Sequence, residues 1–258
     1  QKSGLQVIPW RIKNNADIIT QLGKIQPEKY HTIIAAGGDG TINGVVNAMM
    51  QAGINIPLGI FPEGTANDVA NYLKIPHKIK EYCRVVSDGR LMNIDLGMVN
   101  NEYFINVASA GFLTETAHEV DHNLKNVLGK MAYYLKTIEK IPKIKPLQMQ
   151  ITVDGKSHNM DILMFLILNG GTAGGFQGIL PAGHMSDGQL DFIAIKSASV
   201  PRLAQLLYKF SKGQLLQDEN IFYLQGHEFN INLNPAVSTD LDGEKGPALP
   251  WKVNICPH

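Results

Sequence analysis

Cysteine is scarce in this sequence, and neither sign of charge is in excess. The chain has only Cys83 and Cys256 among 258 residues, too few for a disulfide framework or a cysteine-rich zinc site. Lys and Arg number 23, as do Asp and Glu, so no overall field attracts the protein to nucleic acid or anionic lipid. Cys83 lies in a helical pattern with Ile79 and Val86, and we expect it to be buried as a small hydrophobic residue.

Long hydrophobic runs are also absent. The longest apolar stretch, residues 162–168, is far shorter than the ~20 residues of a helix that crosses a bilayer. Hydrophobic residues make up 44% and charged residues 18%, the balance of a packed globular protein rather than a disordered one. We therefore expect a cytoplasmic protein whose contact with membranes is peripheral.

The pattern of predicted elements changes near residue 93. Before it, strands at 31–36 and 58–61 alternate with helices at 41–51, 67–73 and 78–86, the order of a parallel sheet covered by helices. After it, most elements are strands with hairpin signals, at 94–99, 103–107, 147–153, 161–168, 190–195, 228–233 and 251–255, with helices at 113–122, 127–140 and 201–211. We expect an α/β domain over residues 1–92 and a β-rich domain over 93–258.

The first predicted strand and the helix after it are joined by Gly37-Gly38-Asp39-Gly40-Thr41. Sheet proteins bind phosphate at this place, because glycines let the backbone approach an anion and free N–H groups at the helix start point toward it. Asp39 would repel bare phosphate, so it indicates a divalent cation or a proton between itself and a nucleotide. A plain glycine turn with Asp39 as a helix cap explains the same residues.

The next strand is followed by a second glycine loop, Pro62-Glu63-Gly64-Thr65-Ala66-Asn67-Asp68. Asn67 and Asp68 also suit ordinary N-caps. Two such loops after neighbouring parallel strands should open on the same side of the sheet, however. Asp39 and Asp68 would then share one metal–nucleotide site.

These loops open a longer series of motifs. It continues with Asp95 in Ile94-Asp95-Leu96-Gly97, the stretch Pro181-Ala182-Gly183-His184-Met185-Ser186-Asp187-Gly188-Gln189-Leu190-Asp191, and Asp242-Gly243-Glu244. In this order, over nearly the whole chain, the motifs resemble those of diacylglycerol kinase-like lipid kinases. The resemblance implies an ATP- and magnesium-dependent lipid kinase with a Rossmann-like α/β nucleotide domain and a β-rich, sandwich-like second domain, the NAD kinase/diacylglycerol kinase-like fold. Sphingosine and ceramide kinases share that catalytic fold.

The resemblance also implies a role for each matching residue. The candidate nucleotide-binding positions are Gly37, Gly38, Asp39, Gly40, Thr41, Ile42, Asn43, Gly64, Thr65, Asn67, Asp68 and Asp95. Among them Asp39, Asp68 and Asp95 would form an acidic network that, with water, holds a catalytic magnesium ion. Asp242, beside Glu244, would be the general base for the lipid hydroxyl, and Asp39, the base assigned in sphingosine kinases, is its rival.

A second, structural magnesium ion is implied at Asp187, with the backbone carbonyls of His184 and Gln189 as further ligands. The implied partners are ATP, a membrane lipid such as diacylglycerol and a second copy of the chain, since members often dimerise. The family's usual opening strand and Asn-Pro-x-Ser-Gly loop are not found, so the first βα unit is missing from this sequence. The extreme C-terminus is a candidate to return to the first domain.

Three alternatives stay open. His118-Glu119-Val120-Asp121-His122 spells the H-E-x-x-H pattern of zinc proteases, although polar neighbours and the lack of a clear third ligand favour a solvated helix. NAD kinases share the first glycine loop but lack the second in this form, and a binding protein without turnover fits the same motifs.

Residues 125–145 form a basic amphipathic pattern, which favours packing on the core over lying on an anionic membrane.

Overall fold

The computed structural model describes residues 6–111, 145–174, 176–177, 179–180 and 183–257. The chain divides into two compact units, Gln1–Asn93 and Ile94–His258. The predicted helices at 113–122 and 127–140 lie outside the described residues, as do the H-E-x-x-H pattern and all but the end of the basic segment 125–145. Within the described ranges, no helix is both long enough and apolar enough to span a bilayer.

The first unit alternates helices with parallel strands. Its elements are α1 (Asn15–Leu22), β1 (Ile33–Gly37), α2 (Asp39–Gln51), β2 (Leu58–Pro62), α3 (Asp68–Tyr72) and α4 (Ile79–Asp88), with a 3-10 turn at Pro27–Lys29. β1 and β2 pair in parallel, with Ile33 opposite Leu58 and Gly37 opposite Pro62. Both strands therefore end at the same edge, immediately before the two glycine loops.

Helix α4 has a narrow buried face. Tyr82 is its buried residue, and the ring of Tyr82 meets the ring of Phe61 with centroids 4.8 Å apart. Cys83 is exposed, so the prediction that it is buried is wrong. Adjacent residues of an α-helix are turned by about 100°, and packing Tyr82 inward therefore turns Cys83 toward solvent.

The second unit is built on a large, mostly antiparallel sheet. Its strands are β3 (Leu96–Val99), β4 (Glu102–Phe104), β5 (Val107–Gly111), β6 (Leu147–Val153), β7 (Lys156–Leu168), β10 (Leu190–Lys196), β11 (Ile221–Gly226), β12 (Glu228–Asn234), β13 (Thr239–Leu241), β14 (Glu244–Lys245) and β15 (Trp251–Cys256), with a separate small pair β8 (Thr172–Ala173) and β9 (Phe176–Gln177). The main path runs β14-β13-β5-β7-β6-β12-β15-β3-β4, and β10 pairs with both β7 and β11. Helix α5 (Val200–Ser211) and a 3-10 turn at Leu215–Gln217 complete the described elements.

The burial pattern of each strand follows from what covers it. β6 and β12 alternate buried and exposed residues, because one face packs on the core and the other meets water. Residues 162–168 of β7 are nearly all buried, because a different apolar cluster covers each face. Phe165, Phe192 and Trp251 lie in one cluster, and Leu163 packs with α5 residues such as Leu206 in the other.

A buried ion cluster ties α5 to the segment before β11. Arg202 Nη2 donates to Asp218 Oδ1 at 2.7 Å, and Lys209 Nζ donates to Asp218 Oδ2 at 2.6 Å. The backbone N–H of Asn220 adds a bond of 3.0 Å to Oδ1. Burial alone would raise the pKa of Asp218, but these hydrogen bonds and the two cationic charges hold that pKa below its ordinary value.

Candidate active site

The two glycine loops of the first unit touch through their backbones. The N–H of Glu63 donates to the carbonyl of Gly37 at 3.0 Å. A Cβ on Gly38 would lie 3.1 Å from Gly64 Cα, and a Cβ on Gly64 would overlap Gly38 Cα. Glycine at both positions is what lets the loops meet, so they form one surface at the carboxyl edge of β1 and β2.

The first loop ends in the start of α2. Gly38 is the N-cap and has no side chain to satisfy the first N–H groups of the helix, which point outward beside Asp39. Such a terminus attracts anions. Thr41 packs over Gly37, where a Cβ would lie 2.6 Å from Thr41 Oγ1. The Ile42 side chain is only 2% exposed and belongs to the core, so Ile42 can meet a ligand only through its backbone.

Asn67 braces the second loop. Its Oδ1 accepts from Gly64 N at 2.8 Å, and its Nδ2 donates to Gly64 O at 2.7 Å, so the amide bonds to both backbone groups of Gly64. Asn67 has φ +50° and occupies the N-cap position of α3, but its side chain does not cap the helix. Thr65 remains exposed, and Asp68 is buried as the first residue of α3.

Backbone N–H groups hold both oxygens of the Asp242 carboxylate. Its Oδ2 accepts from Ile105 N at 2.7 Å, and its Oδ1 accepts from Asn106 N at 2.9 Å and Val107 N at 2.8 Å. Asp242 is 6% exposed, and the three donors favour its ionised form. Asp242 and Gly243, with φ +52° and +90°, form the two-residue turn of the β13–β14 hairpin.

The hydrogen bonds to Asp242 interrupt a strand that the sequence predicts as continuous. Residues 103–107 were predicted as one strand, but β4 ends at Phe104 and β5 begins at Val107. The N–H groups of Ile105 and Asn106 bond to a carboxylate instead of a neighbouring strand, so the ladder is interrupted there. Glu244, on the other side of the hairpin, is exposed.

Asp95 is joined to the turn that contains Asp187. Asp95 N donates to Met185 O at 2.6 Å, and Asp95 Oδ2 accepts from Gly188 N at 2.8 Å. Asp187 is exposed, and its Oδ1 accepts from Gln189 N at 3.0 Å. The structure thus brings the motif around Asp95 together with the stretch 183–189, both within the second unit.

A buried acid, Asp191, ends the stretch that contains this turn. Asp191 is 3% exposed, and Tyr223 Oη donates to Asp191 Oδ1 at 2.5 Å. Burial raises the pKa of Asp191, which the bonds from Tyr223 and Gln225 partly offset, and the charge of Asp187 adds to the rise. Burial, together with the Asp191 charge, likewise raises the pKa of Tyr223. A cation bound at Asp187 would therefore interact electrostatically with both Asp191 and Tyr223.

The ligand set fits a hard cation held partly by water. Within the described ranges, no group of three or more His, Cys, Asp or Glu side chains lies close enough together to hold a metal ion. Mg²⁺ is ordinarily bound by one or two carboxylates together with water and phosphate oxygens. The exposed carboxylate of Asp187 suits that chemistry, because an ion bound there could keep several of its waters.

Comparison with known proteins adds the family. Residues 1–99 match the family model of the diacylglycerol kinase catalytic domain, and residues 106–258 match that of the YegS C-terminal NAD kinase beta sandwich-like domain. A curated diacylglycerol kinase of Bacillus subtilis (strain 168) is 37% identical over 232 residues, 89% of this chain and 77% of that protein. The chain belongs to the diacylglycerol kinase-like lipid kinase family.

Further members and solved structures agree with this assignment. A diacylglycerol kinase of Staphylococcus aureus (strain NCTC 8325 / PS 47) is 30% identical over 250 residues, 97% of this lipid kinase and 79% of the relative. A crystal structure of a candidate diacylglycerol kinase from Bacillus anthracis str. Sterne superposes with a TM-score of 0.80 at 27% identity, covering 95% of this chain and 80% of that one. The predicted fold and the prediction of a lipid kinase are confirmed.

Proposed function

We propose that this lipid kinase transfers the γ-phosphoryl group of ATP, in the presence of Mg²⁺, to the hydroxyl group of diacylglycerol or a similar lipid. The supporting observation is the buried Asp242 carboxylate, which three backbone N–H groups keep in the form that accepts a proton. It occurs in a family whose curated relatives are named diacylglycerol kinase.

The first unit is the proposed nucleotide-binding domain. The joined glycine loops present backbone N–H groups at the start of α2 and leave Thr65 exposed. Phosphate oxygens can approach such a surface closely because glycine has no side chain, and a cation would offset the charge of Asp39. The nucleotide would contact Gly37–Asn43 and Thr65, with Ile42 contributing only its backbone.

Magnesium would be held, with water, by the acidic network of Asp39, Asp68 and Asp95, and a second, structural ion by Asp187 with the carbonyls of His184 and Gln189. The bound ion supplies charge neutralisation to the phosphates. The position of Asp39 in the first turn of α2, at a helix start that no side chain caps, supports this proposal.

Asp242 is the proposed general base. As the lipid oxygen bonds to the γ-phosphorus, its proton passes to the Asp242 carboxylate, and the bond from that phosphorus to the bridging oxygen breaks to release ADP. A weak base suffices, because phosphoryl transfer depends on positioning and charge stabilisation more than on basicity. Glu244 stands on the same hairpin, and Asp39 is the rival base.

The proposed setting is the cytoplasm, with peripheral contact to a membrane that contains the lipid, and with a second copy of the chain as partner. Sedimentation with lipid vesicles and the mass in solution test these two points separately. Neither depends on which lipid is the acceptor.

The deciding experiment incubates the full chain with labelled ATP and separate acceptors: diacylglycerol, phosphatidylglycerol, ceramide and NAD. We expect label in diacylglycerol or a related lipid, lost when EDTA removes divalent metal. Label in NAD alone would indicate a NAD kinase-like enzyme, and nucleotide binding without transfer would indicate a binding protein. Any of these outcomes other than the first would refute the proposal.

Asparagine variants test the base. Alanine at position 242 would release three N–H groups at once, so Asp242→Asn and Asp39→Asn are the better pair, with the exposed Asp161→Asn as control. We expect Asp242→Asn to reduce turnover by ~10²–10⁴-fold, the usual contribution of a general base. Substantial turnover in Asp242→Asn, with loss in Asp39→Asn, would assign the base to Asp39.

A further inference from the structure

We propose that Asn169 is a positioning residue that holds and polarises the backbone donors of Asp242, and so sets the ionisation of this carboxylate. The inference rests on the proposed role of Asp242 as base. Asn169 directly follows β7, is 1% exposed and lies upstream of the stretch 181–191.

Asn169 and Asp242 bond to the same two peptide groups, 105–106 and 106–107, Asn169 at the carbonyl oxygen and Asp242 at the N–H. Asn169 Nδ2 donates to Ile105 O at 2.8 Å, and the N–H of that same peptide, carried by Asn106, donates to Asp242 Oδ1 at 2.9 Å. The Asn169 backbone N–H donates to Asn106 O at 2.9 Å, and the N–H of that next peptide, on Val107, donates to Asp242 Oδ1 at 2.8 Å. Two parallel chains of hydrogen bonds thus run from Asn169 to one carboxylate oxygen.

A hydrogen bond to a peptide carbonyl polarises the N–H at the other end of the group, which makes it a better donor. The same bond fixes the plane of the peptide and hence the direction of its N–H. Asn169 therefore strengthens two of these three bonds to Asp242, one through its side chain and one through its backbone N–H. Substitution of Asn169 removes the side-chain contribution and leaves the backbone one in place. The Ile105 N–H lies outside these chains and bonds to Oδ2.

The second Nδ2 proton of Asn169 extends the link to Asp95. Asn169 Nδ2 donates to Asp95 O at 2.7 Å, so one amide group ties the backbone of a proposed magnesium-network residue to the turn that holds the proposed base. Asn169 is in this way the shared anchor of two functional segments of the second unit.

The surroundings of the Asn169 side-chain oxygen fix the orientation of its amide group. Asn169 Oδ1 is buried and has no hydrogen-bond partner among the described residues. A flipped amide would place that oxygen against two carbonyl oxygens, so the donor assignment is firm. A buried acceptor without a partner is costly, and the two bonds made by Nδ2 offset that cost.

Several titratable groups lie on the described elements next to Asp242 in the chain or the sheet. Its own hairpin carries Asp240, Glu244 and Lys245, and β4 carries Glu102 and Tyr103. β5, which pairs with β13, has none. These groups are unchanged in the variants below, so they do not confound the comparison.

The test compares Asn169→Ala with Asn106→Ala in the full chain. Both variants remove a buried amide, but the Asn106 side chain donates to Thr172 O and stands outside the two chains. The protein is labelled with carboxyl-¹³C aspartate, and the Asp242 signal, assigned with Asp242→Asn, is followed by NMR as pH changes. We expect the Asp242 midpoint to rise by about one pH unit in Asn169→Ala and to stay in place in Asn106→Ala.

Equal shifts in the two variants, or no shift in Asn169→Ala, would overturn the inference. Asn169→Ser, a milder change that also cannot reach both carbonyls, serves if Asn169→Ala does not fold. Failure of both to fold would make the amide a determinant of folding and reject the positioning role. Because the titration needs no turnover, a shifted midpoint in a protein that phosphorylates no lipid would reject the proposed function alone.

Discussion

Replacing Gly64 with alanine tests whether the two glycine loops form one nucleotide surface. The new Cβ would overlap the Cα of Gly38 and lie 2.8 Å from Asn67 Oδ1. Neither glycine has a positive φ, so the effect would come from contact and not from backbone strain. Since the obstacle is backbone, restoring ordinary carbon contact requires the loops to part by about 1 Å.

A displacement of this size has a predictable effect on catalysis. Misplacing bound groups by about 1 Å costs ~10²-fold in rate, so we expect Gly64→Ala to lose about that factor in kcat/KM with diacylglycerol. Crowding should also lower the free energy of unfolding by about 1–3 kcal/mol. Steady-state kinetics, binding of a fluorescent ATP analogue and urea unfolding measure the three consequences.

Gly38→Ala is the matched control, because it adds a methyl group to the same contact from the other side. Its Cβ would lie 3.1 Å from Gly64 Cα, and the loops need to give by only a few tenths of an ångström. We expect a much smaller loss than in Gly64→Ala. A folded Gly64→Ala protein with normal nucleotide affinity and kcat/KM, or a larger loss in Gly38→Ala, would refute the single surface.

Three further predictions concern stability and reactivity. Asp218→Asn should lower the free energy of unfolding by about 3 kcal/mol, the low end for a buried ion pair, because both cations keep some contact with water. Since the pKa of Asp218 is lowered in the folded protein, this stabilisation is present above the unfolded pKa of ~3.9 and is lost as pH falls through the folded pKa. An unchanged free energy of urea unfolding at pH 7 would contradict this prediction. Gly97→Ala would overlap the buried Phe104 ring and should cost about 1–3 kcal/mol, so an unchanged urea midpoint would contradict the packing. Maleimide near pH 7 should modify the exposed Cys83 before the partly buried Cys256, whose pKa burial raises, and peptide mass mapping that finds the reverse order would contradict the placement.

The glycine loops were predictable because their signals are local. A compact apolar strand, glycines and an amphipathic helix appear in consecutive residues, and both loops lie where that order predicts, with α2 beginning at Asp39 rather than Thr41. An Asp-Gly pair is an equally local hairpin signal, and Asp154-Gly155 forms the turn between β6 and β7, with φ of +45° and +82°. The prediction that Cys83 is buried failed, because the apolar spacing of α4 does not indicate which face of the helix packs against the rest of the unit.

The environment of Asp242 could not be predicted, because its partners are remote in sequence. The backbone donors to Asp242 lie 135 to 137 positions earlier, and the side-chain partners of Asn169 lie 64 and 74 positions away. Asn169 follows an apolar run and shows no pattern of its own. A local pattern identifies the strand it follows but cannot indicate that its amide meets two distant carbonyl groups.

β1 and β2 run parallel and each ends directly before a glycine loop, so the backbone amides of both loops lie at one edge of the same pair of strands. Deuterium exchange of these amides therefore reports on both loops in one measurement. A triphosphate bound at the proposed surface should slow exchange in the first and second loop together, and slowing in only one of them would show that the loops bind independently.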